Sequence, residues 1–375
     1  MAYPRAMEGT HFVVRRDRLT EHEIVTTPRA PLERGDAELR VDMFGFTANN
    51  ISYALRGESM SYWKFFPEAR AGWGRIPAWG FGTVVRSETD AVAVGERYYG
   101  YFPMSSHVVV QPRRVDETGF FDSAPHRRYL NAVYNHYLRT TRDPSYHPDT
   151  EPASVVLRPV FGTSYFLADY LREYGFFDAE TTLVSSASSK LAWGMAFALA
   201  GDARRDRPKL IGLTSERNLA FVGRLGLFDR VLPYADVTTV SAARRAMYVD
   251  IAGSQALRGA IHQHFGGVLR YSLMVGATHQ EPQHSAAGLP GPEPVPFFVP
   301  AWIRHRNKQW SPDGVRRQLG DAWQKIVATM VDPLRSWMTI ASGVGAETVA
   351  RTYTDVLEGR ARPDEGHVLS LSNVG

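Results

Sequence analysis

The 375-residue sequence contains no cysteine. Disulfide bonds and zinc sites built from thiolates are therefore excluded, and we predict no metal site. The sequence also has no apolar run approaching the roughly 18 to 20 residues that a membrane-spanning helix requires. No apolar stretch typical of a secretion signal lies near its start. We therefore expect a cytoplasmic protein that does not bind membranes.

A strong excess of one charge is missing as well. The 43 Lys and Arg residues exceed the 39 Asp and Glu residues by only four, and the arginine pairs are scattered along the chain. A nucleic-acid-binding surface is therefore not predicted. Scattered cations suit the phosphates of a cofactor or an anionic substrate better. The length predicts two domains, and the 44% of hydrophobic residues suffices for two cores.

The most informative segment joins an apolar strand at 181–184 to an apolar helix at 191–200 through a run of small residues. Small side chains let backbone N–H groups approach a pyrophosphate at a helix N-terminus. Serine and alanine stand where glycine is usual in such turns, so an ordinary turn with a serine N-cap is an equal alternative. The candidate cofactor-binding residues here are Ser186, Ala187, Ser188, Ser189 and Lys190.

A second predicted strand, 209–215, begins about 25 residues after this turn, as in one βαβ unit. An acidic residue at the end of this strand favours an unphosphorylated ribose, whereas hydroxyls and an arginine favour a 2′-phosphate. The chain offers Thr214, Ser215, Arg217 and Asn218, and Glu216 is the one acidic residue nearby. The sequence therefore favours NADPH over NADH, with a solvated helix start carrying incidental charges as the alternative.

More apolar strands alternate with helical segments after this unit. They lie at 230–234, 246–253 and 267–276. Near-continuous apolar strands of this kind predict a parallel sheet covered on both faces. Ligands of such sheets bind at the carboxyl ends of the strands. We therefore expect Asp250 and Gly276 to lie in the same crevice as Ser186 and Thr214.

The order of these motifs, with others nearer the N-terminus, resembles the medium-chain dehydrogenase/reductase superfamily. Within it, the chain is most similar to the zinc-free branch of quinone oxidoreductase-like and enoyl reductase-like proteins. The N-terminal segments that carry the resemblance are 40–57, the glycine-containing strand 76–85, the Val-Gly-x-Arg turn 94–100 and the strand 106–110. The later ones are 158–165, 221–234, 250–253, 273–276 and the closing helix and strand 353–371.

This resemblance implies an α/β fold with a doubly wound parallel Rossmann sheet and an N-terminal GroES-like β-barrel domain. It implies a GroES-like catalytic domain at 1–155, completed by about 310–375, and a dinucleotide-binding domain at 156–285. The segment 286–310 is rich in proline and aromatic residues and has no counterpart in the better-known branches. We expect it to form a lid or loop.

The resemblance also assigns roles to individual residues. Thr163 is expected under the nicotinamide, and Tyr234, Val275 and Gly276 are expected to contact the cofactor. Enoyl reductases carry a tyrosine just after an Arg-Gly pair. The candidate catalytic residues, as proton donor or hydrogen-bond partner of a carbonyl, are therefore Tyr62, then Tyr53, with Asn50 nearby. The alternative is that these tyrosines pack among aromatic neighbours with their hydroxyls bonded locally.

Aromatic residues are abundant around the predicted site. The candidates for contact with substrate are Trp63, Phe65, Trp79, Phe297 and Trp302. Aromatic walls suit a planar, apolar and conjugated small molecule. A domain core that buries the same side chains is the alternative.

Together these features favour an NADPH-dependent, metal-independent reductase that transfers hydride to an activated C=C bond of an enone, an enoyl ester or a quinone-like substrate. Two alternatives stay open. One is a degenerate, non-catalytic family member that acts as a ligand- or protein-binding module, and the other is a metal-free carbonyl reductase. The resemblance further implies a homodimer that pairs its cofactor-domain sheets through the strand at 266–276.

Overall fold

The structure, a computed structural model, describes residues 7–200, 207–275, 288–331 and 337–372. It divides the chain into two units. Unit 1 comprises Met1–Val156 and Met338–Gly375, and unit 2 comprises Leu157–Trp337.

The regular elements of the described residues are given in chain order. The strands are β1 (Glu8–Arg15), β2 (His22–Pro28), β3 (Ala37–Phe46), β4 (Trp73–Gly74), β5 (Pro77–Ser87), β6 (Arg97–Pro103), β7 (His107–Val110), β8 (Pro112–Arg113), β9 (Gly119–Asp122), β10 (His136–Arg139), β11 (Thr181–Val184), β12 (Lys209–Thr214), β13 (Arg230–Pro233), β14 (Ala246–Asp250), β15 (Leu269–Val275), β16 (Val295–Phe297), β17 (Thr339–Val344) and β18 (Glu365–Ser370). The helices are α1 (Ala48–Leu55), α2 (Glu151–Glu173), α3 (Lys190–Ala200), α4 (Leu219–Leu225), α5 (Gln255–Phe265), α6 (Val299–Val331) and α7 (Ala346–Leu357).

Unit 1 is built mainly from antiparallel strands. In its described part, one sheet has the order β2-β1-β4, and a second has the order β17-β18-β3-β5-β6-β10-β9-β8, with β7 also pairing with β3. The inward faces of these strands bury large apolar side chains, among them Phe12, Phe44 and Tyr98. Helix α7 closes this core through Tyr353, whose hydroxyl donates to the backbone oxygen of Leu19 at 2.7 Å.

Unit 2 contains a parallel sheet of order β13-β12-β11-β14-β15-β16. The chain fills one side of β11 with β12 and β13, then returns to the other side for β14, β15 and β16. A ligand crevice is expected where the order reverses, outside the carboxyl ends of β11 and β14. The predicted α/β class with a doubly wound parallel sheet is confirmed.

The segment 286–310 differs from the separate lid or loop that the sequence suggested. Its described part contributes β16 and the first turns of α6, both within unit 2. The strand forms because its backbone continues the parallel ladder beyond β15. Helix α6 is held to α2 because the Trp302 indole and the Arg306 guanidinium both donate to the carboxylate of Asp169. The chain therefore returns to unit 1 at Met338 and not near residue 310.

The sequence suggested 266–276 as the edge strand, but β15, its described strand, lies inside the sheet because β16 pairs along its outer side. Within the described ranges, no helix is long and apolar enough to cross a membrane.

Candidate functional site

The turn after β11 is tied to the loop after β14, across the point where the strand order reverses. The hydroxyl of Ser185 accepts the backbone N–H groups of Ile251 at 2.9 Å and Ala252 at 3.0 Å. It also donates to a carboxylate oxygen of Asp250 at 3.2 Å. The two strand ends that border the expected cofactor crevice are therefore held together by one buried serine.

The turn adopts a backbone that usually calls for glycine. Ser186 has φ of +53°, in the left-handed region that side chains other than glycine seldom adopt. The next residue, Ala187, is buried and donates its N–H to the backbone oxygen of Leu213 at 3.0 Å. A Cβ atom on Gly212 would lie 2.9 Å from the Cβ of Ala187. The turn therefore approaches β12 as closely as a dinucleotide-binding turn requires, although serine replaces glycine.

The end of β12 presents hydroxyl and amide groups next to the turn. The hydroxyl of Ser188 lies 3.3 Å from that of Thr214 and accepts from the side-chain amide of Asn218 at 3.1 Å. Arg217 is exposed beside them. The structure thus brings two of the four predicted ribose-binding residues, Thr214 and Asn218, into contact with the predicted pyrophosphate turn.

Serine also caps the helix that follows this turn. The hydroxyl of Ser189 accepts the N–H of Ala192 at 3.2 Å, so a first-turn N–H of α3 already has a partner. Lys190 is the first residue of the helix and is half-buried. This contact is the serine N-cap that the sequence offered as an alternative, and it coexists with the close approach of the turn to β12.

Asp250 is buried, and its carboxylate is engaged by neighbouring protein groups. It is 1% exposed, and its carboxylate accepts from Ser185, from the N–H of Gly253 at 2.9 Å and from Arg258 at 2.9 Å. These partners engage both carboxylate oxygens. The cofactor contact that the sequence suggested for this residue is therefore replaced by a role in holding the loop after β14.

The remaining predicted cofactor residues of unit 2 belong to several elements. The segment of α2 that contains Thr163 packs against α3, since the hydroxyl of Ser164 donates to the backbone oxygen of Leu191 at 2.9 Å. Tyr234 follows β13, and hydrogen bonds from Ser186 partly offset the rise of its pKa on burial. Three further predicted residues are Ser215, which precedes α4 and is half-buried, Val275, which ends β15, and Gly276, which lies outside the described residues.

In unit 1, the two candidate catalytic tyrosines belong to one aromatic cluster, which we call the tyrosine cluster. Its seven rings are Tyr53, Tyr62, Phe65, Phe66, Trp79, Tyr101 and Tyr134. The side-chain amide of Asn49 donates to the hydroxyl of Tyr53 at 2.8 Å. Burial raises the pKa of Tyr53 well above its ordinary value, and hydrogen bonds from Trp79 and Asn49 offset this only in part. This phenol therefore keeps its proton near neutral pH.

Three more tyrosine hydroxyls of this cluster belong to Tyr62, Tyr134 and Tyr101. The hydroxyls of Tyr62 and Tyr134 are 3.2 Å apart, and burial raises the pKa of both. Tyr101, on β6, is fully buried, and its hydroxyl has no hydrogen-bond partner among the described residues. Burial raises its pKa as well.

Other predicted site residues of unit 1 have packing or capping positions. Asn50 caps α1, because its side-chain oxygen accepts the N–H of Thr47 at 2.8 Å. Trp63 is buried in the main core and fills the space over Gly57 and Gly74, where any Cβ atom would collide with its indole. We therefore leave Asn50 and Trp63 out of the site.

Phe297 and Trp302, the last two substrate candidates, lie in unit 2. Phe297 is buried on β16 against Tyr170, with ring centroids 5.2 Å apart. Trp302 is buried and donates to Asp169 at 2.8 Å. Both contacts fasten β16 and α6 to α2, so the alternative of core packing accounts for these two residues.

The sequence interpretation missed several residues of the site. Asn49 had a local signal, since it stands four residues before Tyr53 on the same helical face. Tyr101, Tyr134 and Arg258 had none, because they meet their partners only after folding. No group of three or more His, Asp or Glu residues in the described part of the chain is placed to hold a metal ion.

The strand order of unit 2, its serine turn and the β-rich unit 1 define the fold, and it is the fold that the resemblance to medium-chain dehydrogenases/reductases implied. CurA from Vibrio vulnificus superimposes with a TM-score of 0.60 and 12% identity, covering 98% of this chain and 99% of CurA. CurA from the same organism in complex with NADPH gives a TM-score of 0.53 and 13% identity, covering 93% and 94% of the two chains. A putative NADPH:quinone reductase from Mesorhizobium loti gives a TM-score of 0.58 and 13% identity, covering 99% of this chain and 100% of that chain.

At these identities the likeness establishes the fold. The sequence also matches, over residues 44–362, the family described as "Protein of unknown function (DUF2855)". The chain belongs to this family. No match was found among the curated proteins.

Proposed function

We propose that this protein is an NADPH-dependent, metal-independent reductase that transfers hydride to an activated C=C bond of an enone, an enoyl ester or a quinone-like substrate. The observation that carries the proposal is the contact of Ser188 with Thr214 and Asn218. It joins a turn of dinucleotide-binding geometry to a strand end with hydroxyls and an amide in place of a carboxylate. Such an end suits a 2′-phosphate. CurA binds NADPH in its solved complex, and this supports the choice of cofactor.

The proposed cofactor site consists of residues of unit 2. Its members are Thr163, Ser186, Ala187, Ser188, Ser189, Lys190, Thr214, Ser215, Arg217, Asn218, Tyr234, Val275 and Gly276. The left-handed backbone at Ser186 and the close approach of Ala187 to Gly212 leave room for a pyrophosphate beside the start of α3.

When bound, NADPH supplies a hydride that adds to the β-carbon of the substrate, so that the electron pair of the C=C bond moves toward the carbonyl oxygen. The chain itself holds the proton that completes the addition. Burial keeps Tyr53 and Tyr62 protonated near neutral pH, and either phenol can give its proton to the α-carbon or stabilise the oxygen by a hydrogen bond. The phenol then recovers a proton from water. Phe65 and Trp79 supply apolar ring surface in the same cluster.

The first experiment is a titration with NADPH and NADH of the wild-type protein and of Arg217→Ala. Arg217→Ala should weaken NADPH binding by roughly 1.5–3 kcal/mol, the value of a charged hydrogen bond, and leave NADH binding nearly unchanged. Arg316→Ala, which removes an exposed arginine of α6 that pairs with Asp313, is the matched control. Equal losses for both nucleotides would contradict the 2′-phosphate assignment, and no binding of either would favour the non-catalytic alternative.

We also propose that the protein is a homodimer that associates through the outer edge of the unit 2 sheet. Strand β16 forms this edge, and Val295 and Phe298 are exposed there. Pro296 lacks an N–H to donate, so side-chain contacts and not a long strand ladder would hold the two copies. Sedimentation equilibrium of the wild type and of Val295→Asp/Phe298→Asp tests this, since the double variant should be a monomer.

A further inference from the structure

Tyr134 neighbours five of the other rings in the tyrosine cluster, and the sixth, Phe66, contacts Tyr101. Its ring centroid lies 4.7 Å from Tyr101, 5.3 Å from Phe65, 5.7 Å from Tyr62, 5.9 Å from Trp79 and 6.5 Å from Tyr53. These five neighbouring rings come from α1, β5, β6 and the turn that follows α1. One side chain therefore fills a site that five rings from regular elements and their adjoining turn surround.

Tyr134 itself comes from an irregular part of the chain. It ends a short 3₁₀ turn within residues 123–135, which we call the cover segment, between β9 and β10. This segment faces solvent, since Tyr129 is 96% exposed and Val133 is 59% exposed. Leu130 and Tyr134 pack against the cluster, and His126 and Arg127 contact Phe65 from the same segment.

The backbone of Tyr134 is held by hydrogen bonds, whereas its side chain is held mainly by ring contacts. The buried guanidinium of Arg127 donates to the backbone oxygen of Tyr134 at 2.6 Å and to the Asn135 side chain at 2.9 Å, and it pairs with Asp122 at 2.8 Å. Among the described residues, the Tyr134 side chain has one hydrogen-bond partner, the Tyr62 hydroxyl at 3.2 Å. Rotation of the side chain breaks this hydrogen bond and the five ring contacts, while the hydrogen bonds from Arg127 to the backbone of Tyr134 and to Asn135 do not depend on the ring.

The ring of Tyr134 also leaves a polar group unsatisfied. The Tyr101 hydroxyl is buried and has no hydrogen-bond partner among the described residues. The Tyr101 and Tyr134 ring centroids are 4.7 Å apart, so a ring in the place of Tyr134 can carry an acceptor oxygen toward this hydroxyl. Buried donors of this kind are rare in native proteins and call for a functional explanation.

We propose that the Tyr134 side chain is a displaceable plug: it occupies the binding site of a six-membered ring, and a ligand ring that carries a carbonyl oxygen displaces it and accepts a hydrogen bond from Tyr101. The inference rests on the proposed function and narrows its substrate class to cyclic enones and quinones. Open-chain enoyl esters lack the ring. The displacement costs little contact energy, because the ligand ring takes the place of Tyr134 against the same five rings.

The test compares 2-cyclohexen-1-one with cyclohexene, which has the same ring without the oxygen, by ligand-observed NMR in the absence of nucleotide. Tyr134→Ala should bind the enone at least tenfold more tightly than the wild type, because no plug competes. Adding Tyr101→Phe to the Tyr134→Ala variant should weaken binding of the enone about tenfold, the loss of one hydrogen bond. The affinity for cyclohexene should not change. Tyr353→Phe, which removes a buried hydroxyl elsewhere in unit 1, is the control and should change neither affinity.

A second measurement uses the wild type, so it does not depend on the folding of Tyr134→Ala. Nitration by tetranitromethane, read by mass spectrometry, should reach Tyr134 only when the enone is present, with exposed Tyr129 as the internal reference. Continued protection of Tyr134 in the presence of bound enone overturns the plug, and so does equal enone affinity of Tyr134→Ala and the wild type. NADPH titration of the same samples separates the two proposals, since intact nucleotide binding with a failed plug leaves the proposed function standing.

Discussion

Removal of the Tyr101 hydroxyl should stabilise the protein. The group is fully buried and has no partner among the described residues, and an unsatisfied buried hydroxyl costs about 1–3 kcal/mol. Tyr101→Phe deletes that cost and leaves a space of one oxygen atom, which offsets part of the gain. We expect a net rise of about 1 kcal/mol in the free energy of unfolding, or about 2–4 °C in Tm for a unit of this size.

The matched control is Tyr353→Phe, also in the core of unit 1. Its hydroxyl donates to a backbone oxygen at 2.7 Å, so this change removes a formed hydrogen bond and should lower the free energy of unfolding by about 1 kcal/mol. Thermal and urea unfolding of both variants and the wild type provide the measurement. If Tyr101→Phe is destabilised as much as Tyr353→Phe, the Tyr101 hydroxyl has a partner in solution and the argument for a ligand oxygen fails.

Three further predictions concern the fold around the site. Gly212→Ala should lower the free energy of unfolding by about 1–3 kcal/mol through overpacking against the cofactor turn, whereas Gly223→Ala, with open space around it, should be neutral or stabilising; urea unfolding of both variants decides. Arg258→Met should cost about 3–5 kcal/mol by stranding the carboxylate of Asp250 in the interior, and a smaller loss in calorimetry would mean that this carboxylate reaches water. Burial lowers the pKa of His11 to about 4, below its unfolded value of about 6.5, so stability should be lost as the pH falls from 6.5 toward 4. An unfolding free energy that stays constant over this range would show that His11 does not titrate as proposed.

The contacts of the turn after β11 in unit 2 were largely predictable from the sequence. Ser186, Ser188, Thr214 and Asn218 stand at the ends of strands whose apolar character is local, and parallel strands bring their carboxyl ends to one edge of the sheet. The role of Asp250 was not accessible in the same way. Its strand-end position suggested a cofactor contact, but the partner that neutralises it, Arg258, is supplied by the next helix.

The tyrosine cluster of unit 1 was only partly predictable from the sequence. Tyr53 and Tyr62 were found through a family resemblance and lie in one cluster. Trp63, one residue further on, points into the main core between two glycines. An aromatic run in the sequence does not say which ring faces a ligand, because adjacent side chains in a turn point to different sides.

The sequence by itself determined the doubly wound sheet of unit 2, since apolar strands, helices and small-residue turns are encoded over stretches of a few residues. Only the tertiary structure decided that β16 and α6 complete unit 2, and that Tyr134 fills the ring-lined site of unit 1. Tyr134 stands 72 positions from Tyr62 along the chain. Such a contact depends on the register of the strands and the path of an irregular segment, which no local pattern of residues specifies.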